Sequence, residues 1–221
     1  MRIAVLGTGT VGATLANRLL ELGHNVRMGS RSATGDAVQE WLAAVDTQSP
    51  GEASIGTFGD AAAHGELVIN ATAGVASLEA LRSVGVDGLA GKVLIDVSNP
   101  LDFSHGFPPE LSVCNTESLA EQIQSAFPKT HVVKALNTVT AGVMVHPEVV
   151  PGDHVLFIAG NDQSAKTATV DLLVEFGWPA DRVKDLGDVS AARGTEMYLP
   201  LWLRLMGALG TADFNLSINV G

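Results

Sequence analysis

The chain has 221 residues, a formal net charge of −11, 46% apolar and 17% charged residues, and a single cysteine, Cys114. That length and apolar content suit one packed domain, or one domain with an appendage, and the lone cysteine excludes an intrachain disulfide and suits a reducing compartment. The acidic balance repels phosphate backbones and anionic lipid and no basic patch offsets it, so neither nucleic acid nor a membrane surface is an expected partner.

Met1 leads straight into Arg2–Leu6, a short apolar run with strand character, with no basic leader, signal core or cleavage site. A soluble, cytoplasmic protein is therefore expected. The run closes on Gly7-Thr8-Gly9-Thr10-Val11-Gly12, which satisfies G-x-G-x-x-G. A bare match to that pattern is weak, but here it follows a strand and opens a helix whose Leu15, Leu19 and Leu22 share one face. Gly23 ends that helix, and a second strand, Asn25–Met28, follows at the spacing of a βαβ unit. Gly7 permits the tight turn, Gly9 lets the backbone approach a pyrophosphate, and Gly12 lets helix and strand pack closely. The helix N-terminus then offers free N–H groups to the phosphates.

The second strand ends in Val26-Arg27-Met28-Gly29-Ser30-Arg31. A dinucleotide-binding chain that holds an unphosphorylated ribose usually places Asp or Glu there. A carboxylate would repel a 2′-phosphate, whereas Arg31 can fork onto it or stack on adenine, and Ser30 can donate to it. The exchange favours NADP over NAD, and Arg27 points weakly the same way.

Further strand-like runs lie near Ser54–Phe58 and at Leu67–Ala71, Val93–Val97, Val132–Leu136, Val155–Ala159 and Arg182–Leu186, separated by segments of helical spacing. The alternation predicts an α/β fold of the Rossmann type: a doubly wound, mainly parallel sheet with crossover helices on both faces. Ligands of such sheets bind beyond the carboxyl ends of the strands. Here those exits are Thr72-Ala73-Gly74, Ser98-Asn99-Pro100 and Leu136-Asn137-Thr138, small and amide residues that suit a flat nicotinamide ring and its carboxamide. Turn chemistry accounts equally well for Asn99 and Pro100, while Asn137 and Thr138 lean towards the site.

From Ser190 to Leu209 the pattern becomes helical, and Pro200 should kink or restart the helix. We therefore divide the chain into an NADP-binding domain, residues 1–188, and a helical appendage, residues 189–221, that completes the substrate site or a dimer contact. The stretch Met197 to Leu209 is too short to span a bilayer and reads as a buried or subunit-contact helix. Met197, Tyr198, Leu199, Leu201, Trp202, Leu203, Leu205 and Leu209 exceed the needs of one amphipathic face, which predicts a homodimer. Arg193 and Glu196, three apart, read as a local ion pair. The six histidines lack metal-ligand spacing, no serine sits in a G-x-S-x-G context, and Cys114 has no CxxC partner, so no metal site and no catalytic acid, base or nucleophile is assigned.

The blocks "GTGTVGATLANRLLELGHNVRMGSR", "VLIDVSNPL", "HVVKALNT", "FIAGNDQSAK" and "ARGTEMYLPLWLRLMGALGTADFNLSI" resemble the NADPH-dependent reductases of the deazaflavin coenzyme F420. They are more distantly similar to the oxidoreductase domain of the six-transmembrane epithelial antigen metalloreductases. The resemblance implies that Thr8 and Gly9 meet the phosphates and that Ser30 and Arg31 hold the 2′-phosphate. It also implies that Thr72, Ala73, Asn137 and Thr138 lie near the nicotinamide or its acceptor. Two segments depart from the family's habit: Ala33-Thr34-Gly35-Asp36 stands where a further basic residue is common, and Ala73-Gly74-Val75 where bulkier Pro and Trp occur. The expected activity is hydride transfer between NADP(H) and a planar small-molecule acceptor, coenzyme F420 on the resemblance, by positioning rather than acid–base chemistry. The alternatives are reduction of a flavin, an imine or a carbonyl, or a non-catalytic NADP(H)-binding sensor.

Overall fold

A computed structural model describes residues 1–221. The first half of the chain alternates strand and helix: β1 (Arg2–Leu6), α1 (Thr10–Glu21), β2 (Asn25–Ser30), α2 (Asp36–Ala44), β3 (Ala53–Thr57), α3 (Phe58–His64), β4 (Leu67–Asn70), α4 (Gly74–Val84), α5 (Val86–Leu89) and β5 (Val93–Asp96). A two-stranded antiparallel flap follows, β6 (Leu101–Asp102) with β7 (Glu110–Leu111). The remainder comprises α6 (Leu119–Ala126), β8 (His131–Ala135), α7 (Ala141–Val145), β9 (Leu156–Gly160), α8 (Gln163–Glu175), β10 (Val183–Asp185), α9 (Ala192–Met197) and α10 (Leu199–Leu209).

The main sheet runs β10-β9-β8-β5-β4-β1-β2-β3. From β3 to β8 all neighbours are parallel, the doubly wound order whose reversal between β1 and β4 opens a ligand crevice. β1 is central and buried from Ile3 to Leu6. The helices divide between the two faces. Leu15, Leu19, Trp41, Val143, Leu172 and Trp178 pack in one core, and Phe58, Leu81, Leu119, Ile123 and Phe127 in the other.

Two strands depart from the parallel majority. β9 pairs antiparallel with β8, and β10 runs parallel to β9, so the sheet ends in two reversed strands. The connection after β8, residues 136–155, carries the five-residue α7 and the 3-10 turn Pro147–Val149 and delivers the chain to the end of the sheet from which β9 runs back against β8.

The helix ends follow local chemistry. Gly23, at φ +84°, terminates α1: its N–H donates to the Leu20 carbonyl and that of His24 to Leu19, a Schellman closure. Pro200 restarts the helix rather than kinking it. It occupies the first turn of α10, where a missing N–H costs nothing, and Tyr198 bridges from α9 in αR conformation. Within this chain α10 is not a buried helix: only Leu199 is buried, while Leu201 and Leu209 are 55% and 57% exposed. No helix is long and apolar enough to cross a membrane.

Candidate functional site

The glycine loop is built for an anion. Gly7 sits at φ +117°, and a Cβ there would lie 2.5 Å from the Ala71 carbonyl oxygen; one on Gly12 would lie 2.1 Å from the oxygen of Gly7. Only glycine allows α1 to start this close to β1 and β4. Gly9 is the N-cap, contributes no side-chain acceptor, and has nothing within 4 Å of where a Cβ would be. The leading N–H groups of α1 are thus uncapped, with open space over the loop and no acid in the first turn. A pyrophosphate fits that arrangement.

At the exit of β2, Gly29 is buried against Leu6 and Ala61, so no larger residue fits. Ser30 donates its hydroxyl to the Ser32 carbonyl at 2.5 Å, which fixes the turn that presents Arg31. Arg31 is exposed and forms no ion pair, leaving its guanidinium free for a ligand. Arg27 is not free in this way: its Nε donates to Ser54 Oγ at 3.1 Å across β2 and β3.

A cavity of about 570 Å³ opens beyond β4, β5 and β8. Thr72, Ala73 and Gly74 line one side, Ser98 and Asn99 the floor, and Asn137 and Thr138 the other side, with Val11 from the glycine loop. The sequence-predicted nicotinamide-end residues therefore converge on one chamber, with one exception. Pro100 is buried behind the wall, where it and the Asn99 backbone press on Gly74, whose Cβ would lie 1.9 Å from the Asn99 oxygen. The flap adds Leu101 to Ser104, and α10 adds Leu199 and Trp202. Trp202 is stacked on Phe214, with ring centroids 5.3 Å apart. The flap was not assigned to the site from sequence, because two-residue strands leave no periodicity to read; Trp202 was not singled out for it, though it lies in the appendage expected to complete the site.

The exits of β5 and β8 are tied by their amides. Asn99 Nδ2 donates to the Asn137 carbonyl at 2.8 Å, and Asn137 Nδ2 to Asn99 Oδ1 at 2.9 Å. Leu136, just before, is held at φ +63° although it is not glycine, a conformation that costs roughly 1–2 kcal/mol. Its fully buried side chain and the Asn99–Asn137 pair hold it there.

Beneath the cavity floor lies a buried polar chain. Thr72 Oγ1 donates to Asn70 Oδ1 at 2.7 Å, and Asn70 Nδ2 to Asp96 Oδ1 at 2.8 Å, which also accepts from Ser98 Oγ at 2.7 Å. Lys134 Nζ reaches Asp96 Oδ2 and Glu196 Oε1, each at 2.8 Å, and the Ser98 carbonyl at 2.5 Å. Burial pulls the Lys134 ammonium towards neutrality, but Asp96 and Glu196 outweigh it and hold its pKa above the ordinary lysine value. The expected Arg193–Glu196 pair does not form. Glu196 is turned inward to Lys134 and to the N–H groups of Leu119 and Ala120 that begin α6, while Arg193 reaches out to Glu121, Nε at 2.8 Å. Long-range partners outcompete a helical neighbour here because a buried ammonium and the two helix-start N–H groups that the Ser118 cap leaves free both demand a carboxylate. The signal in the sequence was Lys134 itself, a cation inside the apolar run Val132-Val133-Lys134-Ala135.

None of the six histidines lines the cavity. His24 is buried elsewhere, between the Met1 amine and Glu175. The one titratable group on the wall is Asp102, whose carboxyl the Ser104 N–H holds below the usual carboxylate range.

A glycine loop opening α1, this strand order and a cavity at the carboxyl edge define a Rossmann-class dinucleotide-binding protein. A solved structure from Arthrobacter sp. FB24, provisionally described as an F420-dependent NADP-reductase, matches with a TM-score of 0.91 at 50% identity over 100% of both chains. The F420-dependent NADP reductase of Methanothermobacter marburgensis is 30% identical over 213 residues, 93% of this chain and 92% of that protein. The rat metalloreductase STEAP3 is 29% identical over 206 residues, 91% of this chain, which spans only 38% of that longer protein. The model of the family described as NADP oxidoreductase, coenzyme F420-dependent, matches residues 2–100. The chain belongs to that family and is an NADP-dependent oxidoreductase.

Proposed function

We propose that this oxidoreductase passes hydride between NADP(H) and the deazaflavin coenzyme F420, with both reacting rings in the cavity at the sheet's carboxyl edge. Gly7, Thr8, Gly9, Thr10, Val11 and Gly12 hold the pyrophosphate. Ser30 and Arg31 hold the 2′-phosphate. Thr72, Ala73, Gly74, Asn99, Asn137 and Thr138 take the nicotinamide end and the acceptor, with Pro100 as backing. Bound NADP(H) supplies or receives the hydride. The chain orients the rings and excludes water, and the proton that accompanies reduction of the coenzyme comes from solvent.

The observation that carries this reading is the wall chemistry: a 570 Å³ chamber of small, amide and apolar residues whose one titratable group, Asp102, is held ionised. An acid that stays ionised makes a poor proton donor, so a carbonyl or imine, which must be protonated at oxygen or nitrogen, is badly served. The coenzyme named for the Methanothermobacter relative takes the hydride at a ring carbon, and the proton that balances its reduction comes from solvent rather than from a wall acid. Residues 189–221 complete the chamber through Leu199 and Trp202, and the exposed Met197, Leu201 and Leu209 face serves a homodimer in the cytoplasm.

Stopped-flow mixing of the NADPH-loaded protein with coenzyme F420, FMN, a cyclic imine and a ketone tests the assignment. The deazaflavin should be reduced fastest by a wide margin. Preferential reduction of the imine or ketone would overturn it, and oxidation of NADPH by none of them would leave a sensor.

A further inference from the structure

Lys134 is 1% exposed and its ammonium is held by three oxygens that belong to different parts of the molecule. Asp96 closes β5, the Ser98 carbonyl lies in the exit loop that forms the cavity floor, and Glu196 lies on α9. The chain of bonds continues outward at both ends. On one side Asp96 connects through Asn70 to Thr72 on the wall. On the other, α9 runs through Tyr198 into α10, which supplies Leu199 and Trp202. The Ser98 carbonyl sits one residue before Asn99, whose amide is locked to Asn137.

We infer that Lys134 is a positioning residue for hydride transfer: its ammonium ties the C-terminal wall of the cavity to the strand exits, so that the reacting rings are held between surfaces in fixed register. The inference rests on the assignment of the cavity as the reacting site. It does not involve Arg31, and no residue of the phosphate cradle bonds to Lys134, Asp96 or Glu196, although Gly7 lies against Thr72 at the outer end of the network.

Charge dictates the form of the test. Two carboxylates and one ammonium leave the cluster with one net negative charge. Lys134→Met alone would bury two unpaired carboxylates and risk unfolding. The double variant Lys134→Met/Glu196→Gln keeps the wild-type net charge, and glutamine at 196 can still accept from the start of α6 through its Oε1. It removes the tie and leaves one buried carboxylate instead of two, Asp96, whose Oδ1 still accepts from Asn70 and Ser98. A reacting centre misplaced by about 1 Å loses on the order of a hundred-fold in rate. Single-turnover hydride transfer in the double variant should therefore fall by roughly ten- to a hundred-fold at saturating NADPH, with NADPH affinity close to wild type and a melting temperature lowered by the unpaired Asp96 but still above the assay temperature. Amide hydrogen exchange should quicken over residues 199–209 and stay unchanged over residues 2–22. If the double variant does not fold, Glu196→Gln alone, which leaves Lys134 on Asp96 and removes its ion pair with α9, should show the same contrast more weakly.

Wild-type transfer rate and wild-type exchange over residues 199–209 in a folded variant would overturn the proposal. So would exchange that quickens equally in both segments together with a parallel loss of NADPH affinity, which would reduce Lys134 to a general stabiliser. If the wild-type protein reduces no acceptor, the F420 assignment fails by itself, and the exchange contrast still decides whether Lys134 ties the wall.

Discussion

Replacing Arg31 by alanine separates cofactor choice from folding, because nothing in the protein depends on that side chain. Arg31 is exposed beyond the end of β2 and pairs with no carboxylate, so its removal should change stability by no more than about 0.5 kcal/mol. Its value lies in the ligand. A charge-assisted guanidinium–phosphate contact contributes about 1.5–3 kcal/mol, and exposure with salt screening favours the lower half of that range. At about 1.4 kcal/mol per decade, Arg31→Ala should weaken NADP(H) roughly ten- to thirty-fold and leave NAD(H) nearly unchanged. Ser30 should matter less, since its hydroxyl proton is already committed to the Ser32 carbonyl. Fluorescence titration of NADPH and NADH against both proteins, at low and at physiological salt, reads the effect. The difference should shrink as salt rises. Equal affinity of the wild type for the two cofactors, or equal losses of both in the variant, would refute the reasoning.

Gly74→Ala should destabilise the fold by about 1–3 kcal/mol, because its methyl would strike the Asn99 backbone; an unchanged thermal melt would contradict the packing. Ala73, exposed at the cavity mouth, is the better place to add bulk: Ala73→Phe should slow acceptor reduction far more than it weakens NADP binding, and matched losses in both would count against a shared chamber. The Arg193 hydrogen bond holds the Glu121 carboxyl below its ordinary value. Its stabilisation is therefore present above the unfolded pKa of about 4.3 and is lost as pH falls through the lower folded value. Glu121→Gln should flatten the acid limb of a denaturant-melt series, and an acid slope equal to wild type would sink that assignment. Light scattering should return a mass of twice the 22.9 kDa chain, and Leu201→Glu with Leu209→Glu should split it; a wild-type monomer at micromolar concentration would rule out the dimer.

The parts of this protein that were legible in its sequence are those set by local chemistry. The glycine loop, the strand–helix alternation that makes a doubly wound sheet and the break at Pro200 each follow from a spacing or a backbone restriction. Strand direction is different: the apolar run at Leu156–Gly160 looks the same whichever way it pairs, and its antiparallel register with β8 is a tertiary feature that no local spacing records. The buried network escaped for a related reason. Lys134, Asp96 and Glu196 lie far apart along the chain, and helical neighbourhood pointed Glu196 at Arg193 instead. Pro100 shows the limit in the other direction, since an exit loop marks a region of wall without saying which of its residues face the cavity.

The central claim is direct hydride transfer between nicotinamide and deazaflavin rings within one chamber. It is tested most directly by supplying NADPH deuterated at the transferring position of C4, together with coenzyme F420, and analysing the reduced coenzyme by mass spectrometry. The account predicts that deuterium passes to a ring carbon of the coenzyme, with no dilution by solvent hydrogen and a slower single turnover than with unlabelled NADPH. Reduced coenzyme carrying solvent hydrogen at that carbon, or labelled NADPH that is never consumed, would contradict it.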